Sequence, residues 1–300
     1  MSVYSIKDLE QLSGIKAHTI RIWEQRYQIF SPKRTATNIR FYNDEDLKLI
    51  LNIASLQHFG YKISKIVKMT WAERQEEVRN LSVKNQSYDD QVNELSVSMI
   101  DLDETYFNQI IDTSISQIGL EKTMMEIIYP FLQKIGVLWI TNSINPAQEH
   151  FISHLVRQKL IVLTNELLPA KNNSPLFVLF LPDGELHELG LLFANYMIRS
   201  RGIKTLFFGQ IVPLSALEEV YQEKKPEFMF TCITANPGAS DIQAYVNSIS
   251  EKFKDTKILV TGPQAVNNGL KSPKNVKILS HFHDLIDIVE AESKSKSASI

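Results

Sequence analysis

The residue types best suited to chemistry stand in one short loop. An apolar run, Leu176–Leu181, leads into Pro182-Asp-Gly-Glu-Leu-His-Glu-Leu-Gly190. Glu185, His187 and Gly190 have the spacing E-x-H-x-x-G. Imidazole is a good ligand for a transition metal. A carboxylate two residues away can accept the other ring N–H, which fixes the tautomer and raises ligand basicity. A glycine lets backbone approach closely. Taken bare, E-x-H is more often a loop histidine beside a surface carboxylate, and the spacing alone leaves both readings open.

Two further groups stand out. Trp139 is followed ten positions later by Glu149 and His150, which read equally as a core tryptophan and a solvated pair. Near the start, Lys16, Arg21, Arg26, Lys33, Arg34 and Arg40 face a single acid, Glu24. Such a cluster can grip phosphates, and Arg21 can also reach a base edge.

These groups need elements to hold them. Ser5 can cap a first helix, Ile6–Leu12, ended by Gly14. Thr19–Tyr27 forms a second, with Ile20, Trp23 and Tyr27 at core spacing. Helix, glycine turn, helix is the pattern whose second helix can enter a major groove. Ser31–Tyr42 reads as a short β-ribbon, and Asn43 caps a helix running to Phe59, stopped by Gly60. Glu73–Glu77 reads as a solvated charged stretch. Downstream, Leu120–Trp139 and Pro146–Leu168 are amphipathic helices. From 173 the period changes. Strand-like runs at Leu176–Leu181, Lys204–Phe208, Phe228–Ile233, Lys257–Val260 and Val276–Leu279 alternate with helical ones such as His187–Arg201 and Ser215–Lys224. That alternation predicts a parallel α/β sheet, whose strand ends bind ligands.

The expected organisation is multidomain: an all-α winged helix-turn-helix head (1–75), a linker (76–92), a four-helix bundle (93–170), an α/β flavodoxin-like (Rossmann-type) parallel sheet (175–290) and a disordered tail (291–300). The 300 residues suffice for this. The net charge of −2 conceals an asymmetry: residues 1–70 carry +5, leaving −7 on the rest, so a basic head sits on an acidic body. One cysteine, Cys232, excludes an internal disulfide and a multi-cysteine zinc site. No apolar run approaches the roughly 18–20 residues that span a bilayer, and the N-terminus lacks a signal-peptide pattern. The expectation is a cytoplasmic protein with no membrane partner.

The opening residues carry a resemblance. Tyr4-Ser-Ile-Lys-Asp-Leu-Glu-Gln-Leu-Ser-Gly14, Thr19-Ile-Arg-Ile-Trp-Glu-Gln-Arg-Tyr27, Pro32-Lys-Arg-Thr35 and Asn38-Ile-Arg-Phe-Tyr42 resemble the MerR family of regulators over about the first 70 residues. The resemblance implies that His18, Thr19, Arg21 and Arg26 belong to the recognition helix, and Arg34, Thr35, Arg40 and Tyr42 to the wing; Lys16 joins this DNA-binding set as a phosphate contact. It implies a double-stranded DNA operator and a homo-oligomer, dimer or tetramer. One head alone would bind weakly and with strong salt dependence.

The His187 loop resembles the D-x-H-x-x-G signature of cobalamin-binding domains, with Glu185 in place of Asp. That resemblance implies cobalt ligation through His187. It places the S-x-L motif on Cys232-Ile-Thr234 and the Gly-Gly pair on Gly262-Pro263, both departures from the pattern. W-x9-E-H before such a domain resembles the helical cap of CarH/LitR-type regulators, where Trp, Glu and His line the upper face of adenosylcobalamin. This puts Trp139, Glu149 and His150 in the cofactor set beside Glu185, Gly190, Cys232, Thr234 and Gly262. Light-responsive members carry a His after the Trp; here Ile140 has no lone pair to offer cobalt. The resemblance implies a cobalamin-responsive regulator, a repressor, whose ligand state sets oligomeric state and hence DNA affinity, with light sensitivity left open by Ile140. A regulator of this architecture that works without cobalamin is the alternative. A corrinoid enzyme component fits less well, because the chain has a DNA head and no room for a substrate barrel.

Overall fold

The computed structural model describes residues 3–35, 37–85, 87–140, 144–235 and 242–295. The chain divides into two units, Met1–Leu155 and Val156–Ile300.

In the first unit the local signals act as their chemistry dictates. Ser5 and Asp8 form a reciprocal capping box that starts α1 (Ile6–Ser13), and Gly14, at φ 74°, ends it. A short turn leads to α2 (Ala17–Tyr27). The ribbon is real but minimal: β1 (Lys33–Arg34) pairs antiparallel with β2 (Arg40–Phe41). Asn43 and Asp46 form a second capping box ahead of α3 (Asp44–His58), and α4 is the single turn Ile63–Ile66. The order continues with α5 (Trp71–Asn85), α6 (Tyr88–Asp101), α7 (Glu104–Ile118), α8 (Leu120–Thr123), a π-helical turn (Met124–Ile128), α9 (Tyr129–Ile140) and α10 (Pro146–Asn165).

Here two expectations change. The stretch 76–92 is not an open linker: α5 runs through it to Asn85, and α6 starts at Tyr88 behind a Ser87–Asp90 capping box. Every residue of α6 from Asp90 to Met99 is buried. A polar-looking helix is tolerated there because it packs against α3, α7, the π-turn and α9 together. Ser96 and Ser98 return their hydroxyls to carbonyls of the same helix. The head and the following helices thus share a core. Lys48 of α3 reaches Asp101 of α6 at 2.7 Å, and Lys134 of α9 donates to the Leu12 carbonyl of α1 at 3.3 Å.

The second unit is a five-stranded sheet of β3 (Leu176–Phe180), β4 (Lys204–Gly209), β5 (Phe228–Cys232), β6 (Lys257–Thr261) and β7 (Val276–Ile278), in the order β4-β3-β5-β6-β7. All pairings are parallel. Each strand leads into a helix: α11 (Leu189–Ser200), α12 (Leu214–Lys224), α13 (Ile242–Lys252), α14 (Pro263–Asn267) and α15 (Phe282–Ser295) in turn. On one face Val178, Phe180, Met229, Ile233, Ile258 and Val260 bury against Leu217 of α12 and Val246 and Ile249 of α13. The two-residue period turns Phe177 and Phe228, stacked at 4.4 Å, to the other face. Burial on both faces explains why these strands read as continuous apolar runs. The expected tail starts inside a helix: α15 continues to Ser295, and 296–300 lie outside the described residues.

The strand order fixes where a ligand belongs. From β3 the chain steps one way to β4 and then back across to β5. The carboxyl ends of β3 and β5 therefore flank the switch point, the crevice in which open α/β sheets bind ligands.

Candidate nucleic-acid interface and cofactor loop

On α2 the apolar spacing buries Ile20 and Trp23 and leaves Lys16, His18, Arg21 and Arg26 exposed, with Thr19 half-buried. The turn before it is braced from α1: Glu10 accepts the Ala17 N–H at 2.9 Å and pairs with Lys16 at 3.2 Å. These bonds, first the Ala17 amide and then Lys16, pull the Glu10 carboxyl below its ordinary value. At the ribbon tip Arg34 donates to the Asn38 side chain at 2.8 Å, and Thr35 accepts the Ile39 N–H at 3.1 Å. Arg34 and Thr35 are both exposed.

Two expected wing residues turn inward. Arg40 Nε donates to Glu24 of α2 at 3.1 Å, tying ribbon to helix. Tyr42 is only 1% exposed, bridges Tyr4 through two 2.9 Å backbone bonds and packs its ring edge-on to Phe30. Burial and the Glu24 charge push its phenol up to about 12. A ring so enclosed offers no surface to DNA. Tyr42 sets the angle of the wing, and Glu24, the one acid of the basic stretch, is its anchor.

At the switch point, α11 begins at Leu189, so His187 stays in the loop instead of starting the helix. Glu185 is the hub. It is fully buried, yet its Oε2 accepts the N–H groups of Thr234 and Ala235 at 2.7 and 2.8 Å. Its Oε1 accepts the His187 N–H at 2.9 Å and faces His187 Nδ1 at 2.6 Å. Burial alone would raise the carboxyl pKa. The bonds from the His187 ring and amide, then Ala235 and Thr234, outweigh it and lower the value to about 2. An ionised carboxylate only accepts, so Nδ1 carries a proton, and in the neutral ring the lone pair falls on Nε2. The His187 side chain is 61% exposed. A single oriented imidazole of this kind has the chemistry of a histidine ligand to a metal-centred cofactor.

The other expected cofactor residues shape the loop beside it. Cys232 ends β5 and is buried; burial and the Glu185 charge push its thiol up, so it stays protonated and chemically quiet. Thr234 acts through its amide on Glu185. Gly262, at φ 104°, has the Ile233 backbone so close that an added Cβ would stand 2.4 Å from its carbonyl oxygen. Ile233 is clasped there, donating to Thr261 O at 2.8 Å and accepting from Gln264 N–H at 3.1 Å. The first glycine of the expected pair is therefore indispensable for this contact. Pro263 takes the first turn of α14, where its missing N–H costs nothing. Gly190 lies in the first turn of α11.

In the first unit, Glu149 and His150 pair at 3.0 Å near the start of α10, with the histidine exposed. Trp139 falls on α9, but its side chain, like that of Ile140, lies outside the described residues. Sequence reasoning passed over Ala235 and Gln210, whose Nε2 donates to the Leu186 carbonyl at 2.6 Å. Neither belongs to a motif: Ala235 acts through its backbone N–H, which leaves no mark on residue type, and Gln210 bonds a carbonyl far from it along the chain.

A winged helix-turn-helix, a helical segment and a switch-point α/β sheet define a class, a helix-turn-helix regulator carrying an α/β module of the B12-binding kind. Residues 4–72 match the MerR HTH family of regulatory proteins, and residues 91–164 match the B12 binding domain family. The chain is homologous over most of its length to two repressors of Myxococcus xanthus. HTH-type transcriptional repressor CarH is 26% identical over 246 residues, 80% of this chain and 82% of that one. HTH-type transcriptional repressor CarA is 27% identical over 234 residues, 74% and 73% of the two chains. The monomethylamine corrinoid protein of Methanosarcina barkeri shares the fold at a TM-score of 0.54 with 12% identity, over 68% of this chain and 100% of that one. Among the described residues, no helix is long and apolar enough to cross a membrane.

Proposed function

We propose that this chain is a cobalamin-responsive transcriptional repressor rather than a corrinoid enzyme. The observation that carries the reading is the buried Glu185 carboxylate, bonded to His187 Nδ1 at the sheet's switch point. Cobalamin, when bound, would supply a cobalt centre that an imidazole can ligate. His187 offers Nε2 for it. Glu185 holds the tautomer, and the Thr234 and Ala235 amides hold Glu185. Gly262 lets Ile233 close behind them. Trp139, Glu149 and His150 are further proposed cofactor contacts, with adenosylcobalamin as the ligand.

On the DNA side Lys16, His18, Arg21 and Arg26 present one exposed helix, and Arg34 and Thr35 the wing tip. Phosphate contacts set affinity, and Arg21 reads a base edge. Several heads linked in one oligomer gain avidity that a single head lacks, so ligand control of oligomerisation switches occupancy. Homology to CarH and CarA repressors and the B12-binding-domain match support this reading.

The test is absorption titration of the full chain with adenosylcobalamin. Wild type is expected to bind at micromolar ligand with a histidine-ligated spectrum, and His187→Ala to lose that spectrum. A wild-type chain that binds no adenosylcobalamin refutes the proposal.

A further inference from the structure

The His187 loop is held from two sides, and only one of them belongs to its motif. From β5 come the Thr234 and Ala235 amides on Glu185. From the end of β4 comes a second clasp. Leu181 N–H donates to Gly209 O at 2.8 Å, and Val212 N–H donates to Leu181 O at 3.1 Å. Between them Gln210 Nε2 donates to the Leu186 carbonyl at 2.6 Å.

That carbonyl belongs to the peptide unit joining Leu186 to His187. A peptide unit is planar, and its C=O and N–H point in opposite directions. Here the oxygen is held by Gln210 and the N–H by Glu185 Oε1 at 2.9 Å. One plane is thus gripped at both edges, by Gln210 just past β4 and by Glu185 of the same loop, which the Thr234 and Ala235 amides hold in turn. The residue it leads into is the imidazole itself. With the plane locked, the N–Cα axis from which the His187 side chain springs is set, and the Nδ1–Glu185 contact holds the ring on it.

The backbone after Gln210 carries strain consistent with such a brace. Ile211 has φ 52°, in the left-handed region that β-branched residues avoid. Strain of this kind persists where surrounding bonds over-determine the local path, and it gathers at functional sites. The Val212–Leu181 bond follows directly on this residue.

We infer that Gln210 is a positioning residue for His187, acting through the Leu186–His187 peptide plane to preorganise the metal-ligating imidazole. The inference rests on the cobalamin reading above for its functional consequence, but the brace itself is independent of any ligand.

The test uses the full chain with Gln210→Glu, which keeps the length and loses the N–H, and Gln210→Arg, which restores an N–H donor. In ligand-free protein, amide hydrogen exchange of the 183–189 segment is expected to speed up in Gln210→Glu and return toward wild type in Gln210→Arg. With adenosylcobalamin, Gln210→Glu is expected to bind about threefold to tenfold more weakly, the worth of one such hydrogen bond, and Gln210→Arg to recover. Unchanged exchange and unchanged affinity in Gln210→Glu overturn the inference. Faster exchange with unchanged affinity also overturns it, since the brace would then not serve the ligand. If wild type binds no adenosylcobalamin, the proposed function fails, and unchanged exchange in Gln210→Glu would then sink the brace as well.

Discussion

His187 Nδ1 and Glu185 Oε1 stand 2.6 Å apart, the ring 61% exposed and the carboxylate fully buried. Exposure lets the ring meet a ligand, while burial keeps its partner from being screened or displaced. Because the carboxylate also receives three backbone N–H groups, it cannot follow the ring if the ring moves. The pair therefore works as a fixed post.

Replacing Glu185 separates its two tasks. Glu185→Gln keeps the shape but loses the charge that orients Nδ1–H. Adenosylcobalamin affinity is expected to fall about 10- to 100-fold, as for other partners of metal-bound histidines. Glu185→Ala also strands the Thr234 and Ala235 amides, so urea unfolding is expected to show a further loss of about 1–3 kcal/mol. Equal affinity in wild type and Glu185→Gln would remove Glu185 from the cofactor set.

Acidity addresses the same carboxylate. Its folded pKa, about 2, lies below the ordinary glutamate value of 4.5. The sign follows: its contribution to stability is whole above about pH 4.5 and drains away as pH falls toward 2. In unfolding measurements from pH 6 to 2, the difference between wild type and Glu185→Gln is expected to shrink across that window. A difference that stays constant to pH 2 would mean the carboxylate is not held as described.

Gly262 is a packing requirement. Gly262→Ala drives a Cβ to within 2.4 Å of the Ile233 carbonyl oxygen at a φ of 104°. The loss is expected to be about 2–4 kcal/mol in urea unfolding, with cobalamin affinity falling because Ile233 adjoins Thr234. A neutral substitution would show that the β5 loop can back away freely.

The DNA surface divides by exposure. Arg26→Ala and Arg34→Ala are each expected to reduce the slope of log affinity against log salt by about 1, one phosphate apiece. Tyr42→Phe removes a hydroxyl facing Glu24 at 3.5 Å and is expected to leave DNA affinity at fixed salt unchanged. A several-fold weaker affinity in Tyr42→Phe would return Tyr42 to the DNA interface.

Much of this was readable in residue order. Ser5, Gly14 and Asn43 announce their helix ends, and five apolar runs announce the five strands, because caps and parallel strands write themselves in local residue types. The His187 loop was readable for the same reason: ligand and orienting carboxylate stand two positions apart. What stayed hidden depends on distance along the chain. The burial of α6 arises from helices that surround it, not from its own polar composition. The inward turn of Tyr42 depends on Tyr4 and Phe30, and the role of Gln210 on a carbonyl 24 positions away. Gly262 shows the converse: a glycine kept from a cofactor motif is held by the backbone of Ile233.

The most direct test joins the two halves of the molecule. Operator DNA, selected by binding to the full chain, is titrated by fluorescence anisotropy at fixed salt, with and without adenosylcobalamin, for wild type and His187→Ala. The account predicts tighter DNA binding by wild type when adenosylcobalamin is present, and no ligand effect in His187→Ala, whose ligand-free affinity matches wild type. DNA affinity that adenosylcobalamin leaves unchanged in the wild-type chain would contradict it.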